Sequence, residues 1–205
     1  ANLTDTVHLA PIDPQQLIVR HCGAPFPVIE MIPGEILTRQ IMMPLPGYDI
    51  FMPNGTINKI AVFERHKATG KIGVGAVAGF EIHHGAIASS VSHDSHNIIV
   101  IGDNDEDIIL AVKELERTHG GHTIVEKGQV FETLPLPIMG LISDQPYEYV
   151  TAITRRMIQK AHDMGVHKDM DPFITLSFMA LTVIPEIRLT PRGIYNVTEQ
   201  RFLYH

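Results

Sequence analysis

The stretch NKIAVFERHKATGKIGVGAVAGFEI, residues 58–82, decides the fold class. Its two halves are runs of β-branched and other apolar residues, and KATG between them is typical of a turn. After a second turn at HHG comes AIASSVSHDSHNIIVIG, residues 86–102, which is predicted to be one further extended stretch. The region is therefore predicted to form a β-meander.

Three glycines, Gly73, Gly75 and Gly79, lie inside the second strand of this meander. Glycine within a strand indicates a bulge or the close approach of another backbone. The spacing GxGxxxG is neither a dinucleotide-binding motif nor a P-loop, because no strand–loop–helix unit surrounds it and no GKS or GKT follows. A phosphate-binding loop is therefore not predicted here.

Helices are predicted after the meander. The first begins at Asp103, with Glu106 completing a capping box. Its apolar face has helical spacing and consists of Ile108, Ala111, Val112 and Leu115. The second is predicted over PYEYVTAITRRMIQKAHDMG with Ser143 as its N-cap, and the third begins at Asp171-Pro172.

The first 50 residues are rich in proline and in short apolar runs. QQLIVR (15–20), FPVIEMI (26–32) and EILTRQIMM (35–43) are predicted to be strands. Because they cannot close a core alone, residues 1–50 are predicted to complete a small β-domain, and residues 51–205 to form an α+β domain. The predicted fold class is α+β: a layered domain of mostly antiparallel strands with two or three packed helices, preceded by a short β-rich segment.

The composition is that of an ordinary globular chain: 205 residues, 44% hydrophobic and 19% charged. No apolar run reaches the ~18 residues that span a bilayer, and the N-terminal residues do not resemble a signal peptide, so no membrane association is expected. The net charge of −7, without a local run of Lys and Arg, gives no reason to expect a nucleic-acid partner. Cys22 has no second cysteine to pair with, which suits the cytoplasm.

The stretch SVSHDSHN, residues 90–97, places many polar groups directly before the apolar run IIVIG. The H-x-x-H spacing of His93 and His96 is compatible with a metal site or with a general acid–base pair. A metal ion would need a third ligand, for which the candidates are Asp94, His66, His83 and His84. The same polar groups could instead satisfy backbone hydrogen bonds at a strand end. The spacing alone leaves both alternatives open.

A second polar group, FERH at residues 63–66, ends the first strand of the meander. Glu64 and Arg65 are adjacent and face opposite sides of a strand, so no ion pair between them is predicted. Loops at strand ends often carry function, which makes this group a second candidate.

Five segments resemble the C-terminal part of bacterial adenine deaminase, a member of the amidohydrolase superfamily. They are VIEMIPGEILT, VFERHKATGKIGVGAVAGF, GAIASSVSHDSHNIIVIGDNDEDIILAVKEL, LPLPIMGLISD and FITLSFMALTVIPEIRLTPRGIYNV. They keep the family's order from about residue 15 to about residue 200. The resemblance implies hydrolysis of adenine to hypoxanthine and ammonia, with manganese or iron activating a water molecule.

The resemblance also marks the family's polar positions in this part of the enzyme. They are Glu64, Arg65, His66, Ser90, His93, Asp94, Ser95, His96 and Asn97. It makes His93, Asp94 and His96 candidates for active-site contact. The candidates for adenine binding are Ser95, Asn97, Glu64 and Arg65, and those for an auxiliary metal site are His66, His93 and His96.

One departure from the superfamily pattern limits what this chain can do alone. Amidohydrolases hold their metals on a barrel that begins with an HxH pair, and the sequence contains no HxH. A barrel of this kind needs ~200 residues or more for itself, and no alternating series of strands and helices is present. The chain is therefore predicted to be roughly the last third of the enzyme and inactive alone, with the missing barrel as its partner. The resemblance also implies a homo-oligomeric enzyme.

Three hypotheses for the role of the chain follow. The first is that it caps or supports the active site of adenine deaminase through the stretch at 90–97. The second is that it is a non-catalytic assembly or stability module, in which the polar cluster is an internal hydrogen-bond network. The third is a stand-alone domain that binds a metal ion or a purine.

Overall fold

The computed structural model describes residues 3–205. In this range the chain forms an eight-stranded sheet, a three-stranded sheet and three α-helices, which confirms the predicted α+β class. The strands are β1 (Pro25–Met31), β2 (Thr38–Pro44), β3 (Ile57–Phe63), β4 (Ile72–Ala78), β5 (Gly85–Ser89), β6 (Ile98–Gly102), β7 (Gly121–Glu126), β8 (Gln129–Pro135), β9 (Ile187–Thr190), β10 (Gly193–Asn196) and β11 (Arg201–Tyr204). The helices are α1 (Asp105–Arg117), α2 (Tyr147–Asp163) and α3 (Pro172–Phe178).

The large sheet has the order β2-β1-β4-β3-β6-β5-β7-β8, and its pairs are antiparallel except for β1 with β4. Every residue of β3, β5 and β6 is buried, so both faces of the sheet centre are covered. Helix α1 packs across β5 to β8, and α3 packs on β5 and β6. The small sheet, in the order β11-β10-β9, packs on β3 and β4.

The glycines of β4 explain how closely the small sheet approaches. A Cβ atom on Gly73 would lie 1.8 Å from the carbonyl oxygen of Thr190, and one on Gly75 would lie 3.3 Å from the side chain of Ile194. Only a strand without side chains at these two positions lets the β9–β10 hairpin lie directly on its backbone. The predicted close approach of another backbone is confirmed at Gly73.

Two predictions for the extended segments need correction. QQLIVR is not a strand: residues Pro14–Leu17 form a 3-10 helix, which Asp13 and Gln16 cap reciprocally. The stretch 86–102 is two strands, β5 and β6, which pair antiparallel on either side of a turn. The predicted strands at 26–32 and 35–43 correspond to β1 and β2.

Two predicted N-caps are also wrong. Asn104 caps α1 through the amide of Asp107, whereas the Asp103 carboxylate accepts from the amides of His84 and Gly85. Helix α2 begins after Pro146 without a side-chain cap. The predicted Asp171 cap of α3 and the buried apolar face of α1 are confirmed.

Strands β1 and β2 belong to the same large sheet as the strands that follow residue 50. Their place at its edge, with β1 parallel to β4, is a fact of the fold. That residues 1–50 complete a further β-domain with another part of a longer chain stays a prediction. In the described part of the chain, no helix has the length and apolar character to cross a membrane.

Candidate functional site

Residues 90–97 connect β5 to β6, and residues 92–97 of this connection are called the polar loop below. Its members differ in exposure. Asp94 and Ser95 are exposed, His93 and His96 are half-buried, and Ser92 and Asn97 are buried. The loop therefore displays a carboxylate and a hydroxyl at the surface and extends polar groups into the interior.

His93 joins the polar loop to α3. Its backbone amide donates to the carbonyl oxygen of Ser177 at 2.8 Å. Its ring stacks on Phe178 with centroids 5.2 Å apart and meets the ring of His96 edge-on at 5.4 Å. Helix α3, which begins at the predicted Asp171 cap, therefore supports the histidine pair.

His96 adopts the left-handed backbone conformation, with φ of 49°. Its amide donates to the carbonyl oxygen of Ser92 at 2.6 Å, and its Nδ1 atom accepts from the Ser92 amide at 3.2 Å. Burial lowers the pKa of His96, and the neighbouring His93, Arg65 and His66 lower it further against the opposing effect of Asp94. The ring is therefore neutral at pH 7, and because Nδ1 accepts, Nε2 carries the proton and can donate.

Asn97 and His66 hold the exposed end of the polar loop. The side-chain amide of Asn97 donates to the Ser95 hydroxyl at 3.1 Å, and its Oδ1 atom accepts from the backbone amide of Arg65 at 3.3 Å. His66 Nε2 lies 2.6 Å from the Ser95 carbonyl oxygen, to which it donates. Ser95 is thus held from both its side chain and its main chain.

Arg65 is buried, with 1% of its surface exposed. Its guanidinium donates to the carbonyl oxygens of Thr6, at 2.9 Å, of Met139, at 3.0 Å, and of His96. Burial lowers its pKa to about 10, so the group stays charged at neutral pH. Arg65 therefore lies beneath the polar loop, and its predicted contact with adenine stays a prediction.

Ser90 has an interior role. Its hydroxyl donates to the Gly140 carbonyl oxygen at 2.6 Å and accepts from the Gly121 amide at 2.7 Å. It ties the end of β5 to β7 and to the segment 136–142. Ser92 is different, because its hydroxyl is buried and has no hydrogen-bond partner within residues 3–205.

Glu64 organises the turn that follows β3. Its carboxylate accepts hydrogen bonds from the amides of His66, at 2.6 Å, Lys67, at 2.9 Å, and Thr69, at 3.0 Å, and from the Thr69 hydroxyl at 2.8 Å. Burial raises the pKa of Glu64, but these four hydrogen bonds outweigh it and hold the pKa at about 2. All of its recorded contacts lie in its own turn, so its proposed contact with adenine stays a prediction.

We expect Glu64→Gln to lose about 1 kcal/mol of stability at pH 7. The loss is small because the turn lies at the surface, where solvent screens the charge. The folded-state pKa lies below the usual 4.5, so the carboxylate stabilises the fold above pH 4.5 and this contribution disappears as pH falls toward 2. Thermal unfolding between pH 7 and pH 2 should show the Tm difference from the parent chain closing at the acid end. Glu116→Gln, on the exposed face of α1, is the control; a difference independent of pH for Glu64→Gln would contradict the argument.

The histidines considered as metal ligands do not form a group of three. In residues 3–205, no three or more His, Cys, Asp or Glu side chains form a group that could hold a metal ion. His83 and His84 precede β5 and so lie at the opposite end of that strand from the polar loop. The predicted auxiliary metal site of His66, His93 and His96 is likewise not formed among the described residues.

A shallow cavity of about 300 Å³ adjoins the polar loop. Asp94, Ser95 and Asn97 form its polar side, and the segment 180–183 with Pro191 forms the other. The side chain of Val183 is 72% exposed at this cavity. The arrangement places hydrogen-bonding groups opposite a mostly apolar side that also includes Thr182 and Thr190, and small-molecule sites commonly combine such groups.

Sequence reasoning missed the residues that position the polar loop from a distance. Thr6, Ser177, Phe178 and Met139 each contact the loop or Arg65, and they lie far from it in the chain. The segment LPLPIMGLISD, which carried part of the family resemblance, contained one signal. A Cβ atom on Gly140 would lie 2.7 Å from Nη1 of Arg65, so this position requires glycine.

The comparisons with known proteins agree with the resemblance. The family model described as the adenine deaminase C-terminal domain matches residues 35–201. The chain belongs to the adenine deaminase C-terminal domain family. Adenine deaminase of Desulfitobacterium hafniense is 49% identical over 202 residues, which are 98% of this chain and 36% of that protein.

Other relatives show the same partial coverage. Adenine deaminase of Nitratidesulfovibrio vulgaris strain Hildenborough is 43% identical over 94% of this chain and 34% of its own length. Adenine deaminase of Clostridium acetobutylicum is 53% identical over 73% of this chain and 26% of its own length. The chain therefore spans about a third of the curated relatives or less, and it corresponds to their adenine deaminase C-terminal domain.

Proposed function

We propose that the chain works as the C-terminal part of an adenine deaminase, in which the polar loop faces the active site. The observation that carries this proposal is the contrast within the loop: Asp94 and Ser95 are exposed, yet Asn97, His66 and Arg65 hold the backbone around them. Exposed polar groups on a rigidly held loop are what substrate recognition requires. A loop that only closed a strand end would need no such support.

Apolar side chains around the polar loop support a covering partner. Leu3, Met139, Ile142 and Val183 are all exposed. Met139 accepts from the same guanidinium as His96, its amide donates to the Leu3 carbonyl oxygen, and Val183 lines the cavity beside Asp94. Exposed apolar side chains that lie close together are typical of a surface that another part of the protein covers.

The polar loop has groups that match the hydrogen-bonding edge of adenine. The Asp94 carboxylate can accept from the exocyclic amine, and the Ser95 hydroxyl and the Nε2–H of His96 can donate to ring nitrogens. The manganese or iron that activates water is expected on the amidohydrolase barrel, since residues 3–205 form no group of three or more His, Cys, Asp or Glu side chains that could hold a metal. The role proposed for this chain is to orient adenine and to exclude solvent.

An assembly or stability module is the second candidate. The hydrogen bonds of Ser90, Asn97 and Arg65 inside the domain favour it, because these groups stabilise the fold whether or not the loop meets a substrate. A stand-alone domain that binds adenine or a metal is the third. Equilibrium dialysis with adenine and elemental analysis of the purified chain test it, and binding of neither ligand removes it.

The test of the proposed function is a fusion. Residues 1–205 replace the matching C-terminal third of the Desulfitobacterium hafniense adenine deaminase, and the fused enzyme is expected to release ammonia from adenine. The 205-residue chain alone is expected to release none, because it lacks the superfamily's metal ligands. Ammonia release by the pure chain, or a folded but inactive fusion beside an active parent enzyme, would contradict the proposal.

Cytoplasmic location and a homo-oligomeric enzyme remain part of the proposal. Cys22 is the single cysteine of the sequence, which suits a reducing compartment, and the resemblance implies the homo-oligomer. Size-exclusion chromatography with light scattering on the fused enzyme measures the oligomeric state directly.

A further inference from the structure

We propose that Arg65 is a positioning residue for adenine deamination: its guanidinium holds the polar loop in the conformation that presents Asp94 and Ser95 to the substrate. This inference rests on the proposed function, which assigns the polar loop to the active site. It assigns to Arg65 an indirect role in place of the direct adenine contact that the sequence predicted.

Arg65 connects segments that are far apart in the sequence. Its guanidinium donates to Thr6, His96 and Met139, which are 59, 31 and 74 residues away in the sequence. Its amide donates to Asn97 Oδ1, and its carbonyl oxygen accepts from the His8 amide at 2.7 Å. One residue therefore joins the N-terminal segment and the segment 136–142 to the polar loop.

The buried positive charge of Arg65 strengthens this connection. The guanidinium is buried, and no carboxylate of residues 3–205 forms a salt bridge with it. Three carbonyl oxygens and the Thr6 hydroxyl compensate it, so losing these hydrogen bonds leaves a charged donor without partners. The three segments are consequently held at the positions where their carbonyl oxygens meet the planar fork of the guanidinium.

Two of the partners of Arg65 have an unusual backbone conformation. His96 and Met139 both have positive φ, 49° and 61°, which costs free energy for residues other than glycine. In that conformation each carbonyl oxygen accepts from Arg65. Gly140, with φ of 71°, leaves the space that the Nη1 atom occupies. The contacts with Arg65 thus offset the strain that shapes the polar loop.

A matched control exists in the same chain. Arg188 is also buried, and its guanidinium donates to the carbonyl oxygens of Ile184 at 2.8 Å, Ile36 at 2.6 Å and Pro185 at 3.0 Å. None of these partners belongs to the polar loop. Substituting either arginine removes a buried carbonyl clamp, and only the Arg65 substitution removes one that holds the polar loop.

The first measurement uses the 205-residue chain alone. In Arg65→Lys, hydrogen exchange of the His96 amide, which donates to Ser92, is expected to rise about tenfold, whereas Arg188→Lys should leave that amide unchanged. Gly140→Ala, which pushes the guanidinium without deleting it, should raise exchange at the same amide. Unchanged His96 exchange in the folded Arg65→Lys and Gly140→Ala chains would overturn the inference.

The second measurement uses the fused enzyme at a temperature where circular dichroism shows each variant fully folded. Arg65→Lys is expected to lower kcat for adenine about fivefold with KM nearly unchanged, and Arg65→Met to lower it further, so that lysine rescues in part. Arg188→Lys should keep the parental kcat. Equal kcat losses at Arg65 and Arg188, or loosened exchange with parental kcat, would overturn the positioning role. An inactive parental fusion would refute the proposed function, while the exchange measurement still decides whether Arg65 holds the loop.

Discussion

Replacing His93 or His96 by alanine in the fused enzyme is expected to lower adenine turnover at least about tenfold. His93 stacks between Phe178 and His96, and His96 is held by two hydrogen bonds to Ser92, so both rings have defined positions beside the exposed Asp94. If the polar loop faces the substrate, His96→Ala removes a neutral hydrogen-bond donor. His93→Ala removes the ring against which His96 is oriented. Steady-state kinetics with adenine measure the effect.

The same substitutions separate the two leading functions when stability is measured beside turnover. A stability module predicts a lower Tm with parental kinetics in the enzyme that remains folded. Because both rings are half-buried, Asp94→Asn is the companion variant: its side chain is exposed, so the fold should not change while turnover falls. Asp49→Asn, exposed in the loop before β3, is its control. Parental turnover in all three polar-loop variants would refute contact with the substrate.

Local sequence patterns predicted the elements that local physics determines. The β-branched runs flanking KATG became β3 and β4, and the spacing of Ile108 to Leu115 became the buried face of α1. The missed 3-10 helix at Pro14–Leu17 also had a local signal, since Asp13, Pro14 and Gln16 form a capped start. That signal was hidden by the apolar run LIV, which is equally typical of a strand.

The strand order could not be predicted in the same way. Strand β6 pairs with β3, and β1 runs parallel to β4, so the pairs that join one hairpin to the next bring together strands far apart in the chain. Single-residue patterns give the faces of a strand but not its partner. The predicted cap at Asp103 failed for a related reason, because Asp103 instead accepts from amides 18 and 19 residues away. The Ser143 hydroxyl accepts from the Gln145 amide ahead of α2 and so does not cap the helix.

The candidate site was predicted as a location and not as a mechanism. The density of polar residues at 90–97 identified the loop, and the structure adds that its members lie at three depths. The opposite orientation of Glu64 and Arg65 was correctly expected from strand geometry: one caps its own turn and the other enters the interior. The partners of Arg65 lie 31 to 74 residues away, so a single sequence contains no local signal for them.

Asp105→Ala is expected to destabilise the domain by about 3 kcal/mol, the largest stability effect among the changes considered. The Nζ atom of Lys59, on the central strand β3, lies 2.6 Å from Oδ1 of Asp105 and donates to the Leu17 carbonyl oxygen at 2.8 Å. The lysine side chain is 1% exposed, and the aspartate is 36% exposed at the first turn of α1. The buried ammonium group of Lys59 donates to the Asp105 carboxylate and to the Leu17 carbonyl oxygen. Removing the carboxylate leaves it with the Leu17 carbonyl oxygen of these two acceptors.

Two controls isolate the charge effect in chemical denaturation at pH 7. Glu106→Ala removes an exposed acid from the same helical turn, so it measures the loss of the favourable helix-dipole interaction alone, about 0.5 kcal/mol. Lys59→Met replaces the buried charge by an apolar chain of similar length and should cost less than about 1 kcal/mol. The double variant should then resemble Lys59→Met, because the aspartate has no buried charge left to compensate.

The pH dependence of Asp105→Ala gives a further check on the cause. Burial lowers the pKa of Lys59 below its usual 10.5 against the opposing effect of Asp105, so losing the aspartate should lower it further. The unfolded chain then binds the proton more tightly than the folded chain, and stability rises with pH until the lysine is neutral in both states. The deficit of Asp105→Ala should therefore shrink as pH rises from 7 toward 10.5, whereas a packing defect would leave it constant.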